Sequence, residues 1–160
     1  HAGSIRQRMT IWRKKNPLII SVNNSSRKAR RLGLPRLFHK HHATFARNYW
    51  HYSCAICQKE QEFWSVTAFD HWIPVTNPDS PGHVPWNLLP MCHARKGVPM
   101  PGRCCNNSKS NKDPVVWLTE KLGVRKAEQK LAEIEAFFIA AQEFAMSHGG
   151  LAGPRAVAAH

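Results

Sequence analysis

No acidic residue occurs before Glu60, and the whole 160-residue chain has only 10 Asp and Glu against 23 Lys and Arg. A formal net charge of +13 disfavours cationic partners and attracts polyanions. Long apolar runs are also missing. The longest, such as 136–141, fall far short of the ~18 residues that cross a bilayer, and no apolar signal core opens the chain. Neither a membrane nor a secreted protein is expected, and the localisation read from this is cytoplasmic, of a prokaryotic or phage type. Internal repeats are absent, and the length is too small for a (β/α)₈ barrel, which leaves one compact domain with appendages. The leading His1-Ala2-Gly3-Ser4 reads as a tag remnant and is set aside from fold reasoning.

Residues 1–47 hold twelve of the basic side chains, interleaved with Trp12, Phe38 and Phe45 and followed by Trp50. Aromatics among cations suggest a segment that folds or wraps against a partner rather than a solvated tail, and nucleic acid is the favoured partner. Five cysteines, at 54, 57, 92, 104 and 105, are an odd number without an export signal, so they read as metal ligands before disulfides.

Four regions follow from the changes of texture: a basic extension over 1–48, a cysteine-containing core over 49–113, a helical pair over 114–147 and a tail over 148–160. In the extension, Ser25 to Leu32 suits a short helix stopped by Gly33 and Pro35. Residues 63–69 are rich in strand formers, 73–86 contain four prolines and form a long loop, and 86–91 can return as the second strand of a hairpin. A short helix fits 106–112. Asp113-Pro114 is a helix start, with Gly123 as its stop. From 125 to about 147, the residues Ala127, Leu131, Ile134, Phe138, Ala141 and Ala145 make one apolar stripe, and Phe137, Ile139, Phe144 and Met146 lie off it. That helix is either buried on two sides within its own subunit or a homodimer contact.

Cys54-Ala55-Ile56-Cys57 lets two thiolates reach one tetrahedral zinc from a tight turn, although a redox pair has the same spacing. No βαβ pattern supports a thioredoxin-like site. The partners are Cys92 and one of Cys104 or Cys105. Twelve residues separate Cys92 from Cys105, where a second knuckle has two. Closing the longer loop costs roughly 1.6 kcal/mol more, small beside the ~10–16 kcal/mol of a structural zinc.

Asp70-His71 ends the first expected strand, Asn87 opens the second, and Cys105-Asn106-Asn107-Ser108-Lys109 opens the short helix. Each alone has an ordinary explanation as a turn, an Asx turn, a cap or a solvated lysine. Together, Asp70-His71-Trp72-Ile73-Pro74, Asn87-Leu88-Leu89-Pro90-Met91-Cys92 and Cys105-Asn106-x-x-Lys109 resemble the HNH endonucleases of the ββα-metal (His-Me finger) superfamily, in the version where zinc staples the hairpin to the helix. The resemblance covers about 49–113, with weaker likeness in the flanking 29–35 and 113–118. It implies an α+β fold with a small zinc-stapled ββα-metal core, Asp70 and Asn106 on one Mg²⁺ (or Mn²⁺), and His71 as general base. It further implies Asn87 bracing the loop that orients His71, Lys109 on a phosphate, and Cys105 as the fourth zinc ligand beside Cys54, Cys57 and Cys92.

The residue types suit hydrolysis of a phosphodiester independently. Negative charge grows on the phosphate during attack, hard oxygens favour a Mg²⁺-like ion, and a neutral imidazole can take a proton from water. The expectation is a DNA endonuclease acting on duplex DNA, leaving 5′-phosphate and 3′-hydroxyl ends. One site would nick, and a dimer would cut both strands. The rivals are a zinc module that only binds nucleic acid, and an RNA nuclease. Histidines 39, 41, 42, 51, 83, 93, 148 and 160 receive no role, with His39, His41 and His42 assigned to the basic surface.

Overall fold

The computed structural model describes residues 2–59, 68–93 and 104–148. Among the described residues, six α-helices and two strands run in the order α1 (Ala2–Lys15), α2 (Pro17–Arg31), α3 (Lys40–Tyr49), β1 (Ala68–His71), β2 (Leu88–Met91), α4 (Cys105–Lys109), α5 (Pro114–Leu122) and α6 (Val124–Ser147), with a 3-10 turn Pro85–Asn87 before β2. The architecture is α+β. The single sheet is antiparallel, pairing Ala68 with Met91, Phe69 with Pro90, Asp70 with Leu89 and His71 with Leu88.

The basic lead-in is more ordered than its composition suggests, because helices replace the expected short segment at 25–32. Pro17 sits at the first position of α2, where its missing N–H is no loss, and Leu18, Val22 and Ala29 turn one face to the core. The helix ends as expected at Gly33, whose φ of +67° favours glycine. His1–Ser4, set aside above, enters the first turn of α1 from Ala2 onward.

One hydrophobic core joins the first three regions: Val22 and Phe38 from the N-terminal part, Phe69 and Leu88 from the hairpin, and Trp117, Ile134 and Phe137 from the last two helices. The expected break at 48 falls inside α3. The start at Asp113 follows local chemistry, since its Oδ1 accepts from the backbone N–H of Val115 (3.0 Å) and Val116 (2.9 Å). Gly123, at φ +78°, turns α5 into α6. The buried stripe of α6 is Ala127, Lys130, Ile134, Phe137, Ala141 and Ala145. Phe137 is therefore central, while Leu131 and Phe138 are half-buried at the margin. The shift arises because α3 approaches from that side: Phe45 stacks on Phe144 with centroids 4.4 Å apart, and Tyr49 meets Phe137 at 5.0 Å. With α5, α3 and the 3-10 turn packed on it, α6 is covered on several sides by its own subunit. Ile139 and Met146 stay exposed.

The strand expected from 63 is described only from Ala68; its first part lies outside the described residues, as does the tail over 149–160. Among the described residues no helix is long and apolar enough to cross a membrane.

Candidate metal centre and the Asp70-His71 site

Four cysteines converge. The Sγ atoms of Cys54, Cys57, Cys92 and Cys105 all lie within 4.8 Å of one another, and Cys57 and Cys92 are 3.8 Å apart. A tetrahedron with metal–sulfur bonds of about 2.3 Å has sulfur edges of about 3.8 Å, so the set fits one metal ion such as zinc. The first knuckle is a tight turn in which Gln58 N–H donates to the Cys54 carbonyl (2.9 Å) while Gln58 takes φ +56°. Ala55 N–H donates to the Pro90 carbonyl (2.9 Å), tying the knuckle to β2. Proline at that position is tolerated because a two-stranded sheet has only edges.

Helix α4 supplies the fourth ligand. The Cys105 N–H donates to Cys92 Sγ (3.1 Å) and the Asn106 N–H to the Cys92 carbonyl (3.2 Å), so the start of α4 is fastened to the end of β2. Cys105 belongs to the cluster, whereas Cys104 is buried outside it. Hydrogen bonds from neighbouring thiols, led by Cys105, pull Cys57 well below the usual thiol range and Cys92 down to about 7. Cys105 is pushed upward by its bonds to Cys54 and the other sulfurs. Cys54 is raised as well, so a cation bound among the four sulfurs would be what holds them all as thiolates.

Beside this cluster, β1 ends at Asp70 and His71. Lys109, one turn beyond Asn106 on α4, is fully buried, and its ammonium donates to Asp70 Oδ2 (3.1 Å), to the His71 carbonyl (2.7 Å) and to the Ser110 carbonyl (3.4 Å). Its three protons thus have three internal acceptors. Where a phosphate contact is expected of Lys109, the end of β1 encloses its head group, and its partner in the structure is the Asp70 carboxylate. Burial raises the Asp70 pKa, with the Lys109 charge and hydrogen bond opposing.

Asn87 is also buried and spans the loop between the strands. Its Oδ1 accepts from Ile73 N–H (2.8 Å), its Nδ2 donates to the carbonyls of Ile73 (3.1 Å) and Gly82 (3.0 Å), and its own carbonyl accepts from Trp72 N–H (2.8 Å). Those bonds hold the chain that follows His71, at Trp72 and Ile73, and the Gly82 carbonyl before His83. Burial, aided by the Lys109 and Lys28 charges, lowers the His71 pKa to about 4, so the ring is neutral at pH 7. Lys28 is an exposed residue of α2, the helix packed against β1. For a hard divalent cation the donors are Asp70, whose side chain is 21% exposed, and half-buried Asn106. Mg²⁺ takes one or two protein oxygens of this kind, with water and phosphate completing its shell.

Two side chains without an expected role are prominent. His83 is fully buried, and its Nδ1 lies 3.2 Å from His71 Nε2. The only sequence signal for it is its place after Gly82 in a proline-rich loop. His42 is corrected from surface to core. Only 2% exposed, it accepts the His39 N–H at Nδ1 (3.0 Å) and lies beside Phe38 and Phe144, and burial lowers its pKa to about 4. His39 and His41 do remain on the surface.

No protein-family model matches the chain, and no curated protein or solved structure is significantly similar to it.

Proposed function

We propose that the chain is a metal-dependent DNA endonuclease of the HNH kind, with a ββα-metal core stapled by zinc through Cys54, Cys57, Cys92 and Cys105. One observation carries the reading: Asp70 and His71 end β1 directly against Lys109 of α4, while the cysteine cluster clamps that same helix to β2. Simple binding of nucleic acid needs no buried carboxylate, imidazole and ammonium gathered at the end of a strand.

Mg²⁺ (or Mn²⁺) held by Asp70 and Asn106 would supply the positive charge that a phosphodiester requires as it is attacked. His71 takes a proton from water. The water oxygen bonds to phosphorus in line as the bond to the 3′-oxygen breaks, and that oxygen leaves with its electron pair and is protonated by solvent. A bound phosphate brings negative charge beside the His71 ring and raises its pKa from about 4 toward the working range. Lys109 holds the Asp70 carboxylate in place, and Asn87 keeps the loop that follows His71 in register. Contacts to DNA phosphates then fall to exposed cations, including Lys28 beside His71 and Arg36 beside His83, with the basic helices α1 and α2 adding affinity for the duplex. A second copy joined through Ile139 and Met146 would allow cleavage of both strands.

The test is incubation of the zinc-loaded protein with supercoiled plasmid, with and without Mg²⁺, and with structured RNA in parallel. Nicked or linear DNA is expected with Mg²⁺ only. His71→Ala should abolish cleavage and leave duplex affinity within a few-fold, because a base acts in the transition state. Duplex binding without cleavage by the wild type would support a zinc module that only binds, and preferential cleavage of the RNA would redirect the assignment.

A further inference from the structure

We infer that His83 is a positioning residue for this reaction: its Nδ1 accepts the Nε2 proton of His71, which fixes the His71 ring and leaves His71 Nδ1 with the lone pair that receives the proton from water. The inference rests on the endonuclease reading and adds a residue to it.

The geometry begins with the backbone. His83 N–H donates to the Pro35 carbonyl (2.8 Å), and the His83 carbonyl accepts from Leu37 N–H (2.9 Å) and Phe38 N–H (3.1 Å). Gly82 before it has φ +88°, and a Cβ there would lie 2.8 Å from the Pro35 carbonyl oxygen, so only glycine permits this close approach. Phe38 meets the His83 ring edge-on with centroids 5.4 Å apart. The imidazole is therefore held from the main chain and from its face, and it presents Nδ1 to His71 Nε2 at 3.2 Å.

The tautomer follows from counting protons. If His83 donated from Nδ1, a neutral His71 would accept at Nε2 and carry its own proton on Nδ1, with no lone pair left for water. A base at position 71 needs the opposite arrangement, in which His71 donates and the proton of His83 sits on its own Nε2. That Nε2 is buried and has no hydrogen-bond partner. An unpaired buried N–H lowers stability, and a pair of aliphatic residues at 71 and 83 would avoid the loss, so stability alone does not account for the two histidines here. Unpaired polar atoms of this kind are retained where a neighbouring group uses the strain.

The test uses the full-length, zinc-loaded protein and two variants. His83→Leu should lower kcat for Mg²⁺-dependent plasmid nicking by about 10²-fold, the lower range for a positioned general base, while KM changes little and, because one unpaired ring N–H replaces another, the melting temperature stays near that of the wild type. His83→Asn, whose Oδ1 can accept in place of Nδ1, should recover at least about tenfold of that loss. A readout independent of cleavage is the ¹⁵N spectrum of the histidine rings near pH 7.5. His71 should be protonated on Nε2 alone in the wild type and should become a mixture of tautomers in His83→Leu. A wild-type His71 protonated on Nδ1, or wild-type nicking by His83→Leu, overturns the inference. If the wild type shows the Nε2 proton but cleaves nothing, the pairing stands and the endonuclease reading falls.

Discussion

Replacing Lys109 by Met separates an internal counterion from a ligand for phosphate. Methionine keeps the length of the side chain and its apolar stem but removes the ammonium, which is fully buried and bonded to Asp70, His71 and Ser110. The Asp70 side chain, only 21% exposed, would then keep a largely buried charge without its partner. Breaking a buried pair from one side costs about 3–5 kcal/mol, and the residual exposure of Asp70 favours the lower end, about 3 kcal/mol. For a chain of this size each kcal/mol moves the melting temperature by about 2–4 °C, so a fall of about 6–12 °C at pH 7 is expected by calorimetry. Adding Asp70→Asn should restore part of the loss, since the stranded charge is gone. The sign with pH follows from Asp70. Its folded pKa already lies above the ordinary carboxylate value, and losing Lys109 raises it further. A carboxyl with a raised folded pKa subtracts stability once the unfolded state ionises, so the deficit relative to wild type should be small below about pH 4 and grow as pH rises through the folded value. A variant that melts within about 2 °C of wild type at pH 7 while losing DNA affinity would refute the counterion role and return Lys109 to the phosphate.

Cys105→Ser should release zinc and loosen the fold, whereas Cys104→Ser should retain one zinc per chain and most of its stability, as read by metal analysis and melting; loss of zinc from Cys104→Ser would shift the ligand set by one residue. His42, His71 and His83 are held at about 4, 4 and 3 from an ordinary 6.5, so between about pH 6.5 and 4 the unfolded chain binds protons that the folded one refuses. Stability should therefore rise with pH across that window by up to about 1.4 kcal/mol per unit for each histidine, and His42→Phe should reduce the slope of urea stability against pH by about one proton. An unchanged slope would mean that His42 titrates normally. Replacing the exposed Arg8, Arg13, Lys14 and Lys15 of α1 by Gln should flatten the salt dependence of duplex binding by about 0.9 in log–log slope for each phosphate that α1 no longer neutralises, and an unchanged slope would remove α1 from the interface.

Elements with local chemistry at their ends were legible, and elements defined only by what packs on them were not. Asp113, Pro114 and Gly123 mark α5 and its turn into α6 because a capping carboxylate, a proline at the first turn and a positive-φ glycine act within a few residues. Helices α1 and α3 lack such marks, and α2 has only Pro17 at its start and Gly33 at its stop. No acid opens them, and α3 starts with a histidine pair in which His39 N–H meets His42 Nδ1. Between its ends, the apolar spacing of Leu18, Val22 and Ala29 in α2 is diluted by serines and asparagines. In α6 four of the six expected stripe positions are buried, and two move by one residue, from Leu131 to Lys130 and from Phe138 to Phe137; the Lys130 ammonium lies over the Trp50 ring at 5.6 Å and is bonded to Glu133.

The same division runs through the site. Cys54 and Cys57 at knuckle spacing, with three further cysteines downstream, announce a metal cluster, and the start of α4 is what brings Cys105 and not Cys104 to Cys92. A lysine read from sequence is placed in solvent by default, and Lys109 departs from that default because Asp70, 39 residues earlier, meets it inside. His83 had no periodicity or spacing to distinguish it from the other histidines; the fold alone sets it against His71. Both departures put a polar group in the interior beside the end of β1. If the interior were chosen for stability alone, the ammonium could give way to a well-packed apolar side chain and the histidine pair to two aliphatic ones with little loss. Retaining them ties the disagreement between local rules and structure to the same few residues that the chemistry of phosphodiester cleavage would use.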